Sequence, residues 1–129
     1  MKNVVAKTAL YLIEADRTKN RAYLTFTGYC ADPSEMPNFL NDVKKATQGL
    51  GQGFTLLTDV TGMKTPSKEV AELHVQSQTL WVTSGLSKTA EIMPASAIAK
   101  MAVDQYSKTT GMDKKWFNNQ ADAEAWLDG

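Results

Sequence analysis

FTLLTDVTGMKTPS, residues 54–67, is the stretch whose reading decides the fold. Residues 54–60 form a short apolar run bounded by glycine on one side and a polar loop on the other, which predicts a buried strand. Asp-Val-Thr-Gly closes the run and Thr-Pro-Ser follows at once. Thr65 is suited to cap a helix, and Pro66 to fill its first position, where a missing N–H costs nothing. A strand that hands the chain to a helix through a short polar loop is the joint of an α/β protein, and such loops carry sites.

Downstream of this joint, Val70, Leu73, Ser77, Leu80 and Trp81 lie on one helical stripe that ends near Gly85. Residues 88–93 predict another strand. Pro94 or Ala95 opens a third helix, with Ile98, Met101, Ala102 and Tyr106 expected inward and Gly111 at its end. A brief strand at residues 115–118 precedes a last helix, capped by Asn119 and carrying Ala123, Trp126 and Leu127. Upstream, residues 10–15 and 21–28 flank a short polar spacer and predict a β-hairpin, with Leu24 and Phe26 on one face and Tyr23, Thr25 and Thr27 on the other. Asp32 or Ser34 is expected to cap a helix bearing Met36, Phe39, Leu40, Val43 and Ala46, which Gly49, Gly51 and Gly53 end. The run GLGQG, residues 49–53, has the composition of a dinucleotide loop but the wrong place. It closes a helix and precedes a strand, whereas a phosphate-binding glycine loop follows a strand and opens a helix.

The predicted order is therefore β-β-α-β-α-β-α-β-α. This is an α/β chain with a mixed sheet, largely parallel after an N-terminal hairpin, joined by right-handed crossovers and covered by helices mainly on one face. At 129 residues it is expected to form one domain, residues 1–129, with enough length for a real core. The apolar share of 43% and charged share of 22% are ordinary for a soluble globular chain. Lys plus Arg and Asp plus Glu number 14 each, so no overall field draws in phosphate backbones and nucleic acid is not an expected partner. The one cysteine, Cys30, excludes an intramolecular disulfide and fits a reducing compartment. The opening MKNVVAKTALYLIEAD is broken by Lys7 and Thr8 and closed by Glu14 and Asp16, too interrupted for a signal peptide or a membrane span. A cytoplasmic location is the expectation.

This element order, with TLLTDVTG (residues 55–62) leading into a helix and WFNNQADAEAWL (residues 116–127) closing the chain, resembles the STAS fold of anti-sigma-factor antagonists. The likeness covers nearly the whole chain and points to the small stand-alone bacterial proteins of this architecture; the same broad fold is similar to lipid-carrying CRAL–TRIO domains. The resemblance implies a regulatory module. In the antagonists a Ser at the start of the helix after the Asp-containing strand is phosphorylated, and phosphate there blocks docking of a partner. Ser67 lies nearest that place. The antagonists usually carry Asp-Ser-Ser/Thr-Gly, whereas this chain carries Lys64-Thr65-Pro66-Ser67-Lys68.

Individual residues leave several chemistries open. Asp59 either orders its loop by local hydrogen bonding or binds a polar ligand, and Gly62 is expected to supply a positive φ. Thr65 and Ser67 sit where helix N–H groups lack partners, suited to capping or to an anion. His74 is the one histidine, but on the same helix it lies seven residues, about 10.5 Å, from Ser67, far beyond hydrogen-bond reach. A pairing of His74 with Cys30 stays open, while one Cys and one His cannot build a zinc site. Cys30 reads as an inert small hydrophobe or an exposed thiol, and the three tryptophans as core or as a pocket lining. Lys44-Lys45 and Lys114-Lys115 read as solvated pairs.

These readings favour a non-enzymatic binding module with no catalytic residue, metal or cofactor. Its surface would comprise Asp59, Thr61, Gly62, Met63, Thr65 and Ser67, facing a protein partner; self-association as a homodimer, through the open sheet face or the hairpin edge, is a second expectation. The alternative is a carrier of a small apolar ligand or lipid, in a pocket between sheet and helices closed by Met63, Met93 or Trp81.

Overall fold

Three antiparallel strands open the chain in the computed structural model, which describes residues 2–27, 30, 32–62, 67–94 and 97–129, the side chain of Ala99 excepted. They are β1 (Asn3–Lys7), β2 (Tyr11–Asp16) and β3 (Arg21–Phe26). The β2–β3 turn is set locally. Asp16 accepts from the backbone N–H groups of Thr18 and Lys19, and Asn20 takes the left-handed conformation (φ 54°) that Asn tolerates better than most residues. Strand β1 is an addition to the sequence reading. Its five residues are mostly exposed, and its pairing with β2 slips between Val4 and Ala6, the bulged and interrupted form that edge strands take. The hairpin therefore lies inside the sheet, and β1 forms the edge.

From β3 onward strands and helices alternate: α1 (Phe39–Gln48), β4 (Thr55–Asp59), α2 (Lys68–Thr83), β5 (Lys88–Ile92), α3 (Ala97–Thr110), β6 (Lys114–Phe117) and α4 (Gln120–Asp128). The six strands lie in sequence order, and β3 through β6 are mutually parallel. This is the mixed α/β sheet that the pattern predicts. Because every crossover steps one strand in the same direction, a constant right-handed connection puts α1, α2 and α3 on one face. Helix α4, which follows β6, packs on the other face.

Side-chain alternation divides the core accordingly. Tyr11, Ile13, Ala22, Leu24 and Leu56 pack under Phe39, Val43, Val70 and Trp81 on the three-helix face. Tyr23, Leu57, Ala90 and Ile92 pack under Ala123 and Leu127 of α4 on the other. Asn119 caps α4 as expected, its side chain accepting from Asp122 N–H at 2.9 Å.

Three local expectations are corrected. Asp32 caps only a short 3-10 turn, Pro33–Glu35, and α1 starts at Phe39 behind Asn38, because Pro37 in a helix interior would remove a hydrogen bond and clash with the preceding turn. Helix α2 is capped by Ser67, whose hydroxyl accepts from Val70 N–H at 3.3 Å, rather than by Thr65. Helix α3 keeps Tyr106 inward as expected, but its face is rotated from the expected phase. Val103, Tyr106 and Ser107 face inward, while Ile98 and Met101 are 67% and 71% exposed. Positions 103, 106 and 107 form one i, i+3, i+4 face, and 98 and 101 fall on the side away from it.

Candidate functional site

Strands β4 and β5 are neighbours and end together, with Asp59 opposite Ile92, so the loops that leave them share one rim of the sheet. On this rim Asp59 Oδ1 accepts from Thr61 N–H at 2.9 Å, which ties the carboxylate to its own loop. Thr61 and Gly62 are exposed. Gly62 does not take the expected positive φ. The turn is closed by the Asp59 side chain, and a Cβ at position 62 would come no nearer than 3.7 Å to the Phe26 carbonyl oxygen. Met63 and Thr65 lie outside the described residues. Ser67 stands partly exposed at the start of α2, followed by exposed Lys68 and Glu69. The first turns of α3 rise from the same rim and present Ile98 and Met101 to solvent.

Beneath the rim, between the sheet and helices α2 and α3, lies a cavity of about 30 Å³. One side is apolar, with Leu24, Phe26 and Leu56. The other is polar, with Thr58, His74, Gln78 and Glu91. The polar side exists because the inward positions of β5 and β6 are Thr89, Glu91 and Lys114, whereas strands covered on both faces are usually apolar throughout. Glu91 is 2% exposed. Burial pushes its carboxyl up to about 7, with Lys114 opposing and Asp104 adding to the rise. Lys114 Nζ lies 3.0 Å from Asp104 Oδ1 and 3.9 Å from Glu91 Oε1, and it also sits over the Trp116 ring. Burial works against the Asp104 carboxylate, but Lys114 and the Trp116 indole N–H, donating at 2.8 Å, together hold it below its ordinary range.

Lys114 is thus not the solvated lysine that its position beside Lys115 suggests; its side chain is 8% exposed. Glu91, Asp104 and Lys114 form the charged cluster that the sequence reading missed. Its one available signal was a Glu in the inward register of a central strand.

His74 is buried by aromatic neighbours, stacked on Tyr106 at 5.7 Å and edge-on to Phe26 at 5.0 Å. Burial pulls its imidazole down to about 4, so the ring is neutral at pH 7. Cys30 is buried, donates to the Asp32 carbonyl at 3.1 Å, and has its thiol pushed up by burial, the environment of an unreactive cysteine. Trp81 is core, 1% exposed. Trp116 and Trp126 are half-buried, Trp126 between Phe117 and Lys88. Among the described residues no three His, Cys, Asp or Glu side chains are grouped to hold a metal ion, and no helix is long and apolar enough to cross a membrane.

In comparisons with known proteins, no family model matches this chain, and no curated protein or solved structure matches it.

Proposed function

We propose that the protein is a non-enzymatic, STAS-like docking module whose working surface is the rim where β4 and β5 end. The observation that carries this reading is the exposure of Ile98 and Met101. Among the described residues three large apolar side chains stand exposed, and two of them share the first turns of α3, the helix that follows β5, whose neighbour β4 leads into the Thr61–Gly62 loop. Exposed apolar groups rimmed by polar ones mark protein contacts. The partner is a protein that offers an apolar patch to Ile98 and Met101 and a polar border to the loop. Phosphate on Ser67 would place negative charge at the start of α2, where the helix dipole stabilises it, and would obstruct that border.

The experiment places a photo-crosslinking amino acid at position 61, 101 or, as a control on α1, 44, in protein expressed at native level in its own cell. The expected outcome is one common adduct at 61 and 101, absent at 44 and reduced at least about fivefold, or ~1 kcal/mol, by Ser67→Asp. Asp is itself a good N-cap, so this variant keeps the fold while adding charge. Adduct mass separates a different protein from a second copy. No adduct, or equal yields at all three positions, removes the docking reading.

The carrier reading is second and rests on the cavity under α2, which Trp81 helps to line. At about 30 Å³ that space would have to widen greatly, since pockets for drug-sized ligands run from roughly 300 Å³ upward.

A further inference from the structure

Two buried polar atoms in this cavity's lining residues have no hydrogen-bond partner among the described residues: Glu91 Oε2 and Trp81 Nε1. Leaving such groups unpaired leaves their desolvation cost uncompensated, so a stable fold is expected to satisfy them. The residues around them do not. Lys114 Nζ, buried and itself without a hydrogen-bond partner among the described residues, forms an ion pair with Asp104 at 3.0 Å and lies 3.9 Å from the other Glu91 oxygen, too far to bond it. Gln78 Oε1 is taken by the Thr110 hydroxyl at 3.0 Å, and the Ser77 hydroxyl donates to the His74 carbonyl at 2.8 Å.

We propose that the cavity is an internal binding site for a small uncharged hydroxylic molecule, water by size, held between the Glu91 carboxyl and the Trp81 indole N–H. The volume sets the size. A water needs roughly 10–15 Å³ of such space, so about 30 Å³ admits one or two waters and nothing as long as a lipid chain. The lining sets the chemistry. Water requires two to four polar partners, and here it has the indole N–H as donor, the carboxyl as partner in either protonation state, and the His74 ring and Thr58 hydroxyl on the same wall. A purely apolar occupant would leave the carboxyl and indole unpaired. An anion would meet the Glu91 carboxyl, and Lys114, the cation 3.9 Å from that carboxyl, lies 3.0 Å from the Asp104 carboxylate.

The test is a high-resolution crystal structure of the whole chain, with a second crystal pressurised with xenon. The expected result is one or two ordered waters within about 3 Å of Glu91 Oε2 or Trp81 Nε1, and no xenon in the cavity. Glu91→Gln, nearly the same shape and still polar, retains the water; Trp81→Phe, which removes the indole donor, loses at least one. An empty cavity, a xenon atom within it, or a Glu91 carboxyl turned onto a protein side chain overturns the assignment. Should Trp81→Phe fail to fold, the native and Glu91→Gln crystals decide it alone.

Discussion

His74 and Glu91 line one cavity, and burial moves them in opposite directions: the imidazole from 6.5 to about 4, the carboxyl from 4.5 to about 7. The unfolded chain takes up the His74 proton below pH 6.5 while the folded chain resists it. That contribution to stability is whole above 6.5 and is lost as pH falls toward 4. For Glu91 the folded chain holds the extra proton, so its contribution is whole below 4.5 and is lost as pH rises toward 7. Each is worth on the order of 3 kcal/mol, and across the shared window the slopes cancel. The expectation for urea unfolding between pH 4 and 7.5 follows. Relative to the native chain, Glu91→Gln gains stability with rising pH, whereas His74→Leu declines across the same range. Parallel curves for all three proteins would show that neither group titrates as its burial demands. The residues packed around the pair, Asp104 on α3, Lys114 on β6 and Tyr106 on α3, are common to all three chains. At this scale the sequence identified His74 as the histidine to watch. It did not reveal Glu91, because a glutamate's burial depends on what lies above and beside its strand.

Helix α3 shows how an element can be legible in extent and not in orientation. Its existence and its end at Gly111, where φ is 74°, follow from periodicity and a glycine. Its phase does not, because apolar residues occur on both sides of it: of the predicted stripe Tyr106 is buried, beside Val103, while Ile98 and Met101 are exposed. The sheet beneath decides between them. Under α3 the strands offer Thr89, Glu91 and Lys114, and the helix face that seats there brings Ser107 and, at its border, Asp104. Replacing Ile98 with Ser and Met101 with Gln together is expected to change unfolding free energy by less than about 1 kcal/mol, since both side chains are exposed already. Val103→Ala is expected to cost about 2 kcal/mol by emptying buried volume. Thermal or urea denaturation of the two variants checks the rotation directly; an inverted order of losses would restore the phase read from the apolar stripe.

Across the whole molecule, α4 is tied back to β3 through a network centred on Arg21. Arg21, 2% exposed at the start of β3, donates to Thr55 Oγ1 at 2.9 Å, to Glu124, and to Asp128 at 2.8 Å, and Tyr23 adds a hydroxyl to Glu124 at 2.7 Å. Charge-assisted bonds of this kind, with one partner buried and the others part exposed, contribute roughly 2 kcal/mol. Arg21→Met is expected to lower stability by about that amount, and to raise amide hydrogen exchange in α4 more than in α1. Equal exchange in both helices would mean that the packing of Ala123 and Leu127, with the Tyr23 and Lys88 contacts, holds α4 without Arg21. The alternation of strands and helices from β2 onward, the β2–β3 hairpin, the cap at Asn119 and the end of α3 at Gly111 were readable from the chain because each depends on neighbours a few residues apart. The bulged edge strand β1, the outward turn of α3, the burial of Lys114 and the cavity between Glu91 and Trp81 depend on residues brought together from distant segments, and only the packed sheet and its helices decide them. Local periodicity specifies that an element forms; desolvation and pairing across the core specify which of its faces is inside, and those energies exist only once the chain has closed on itself.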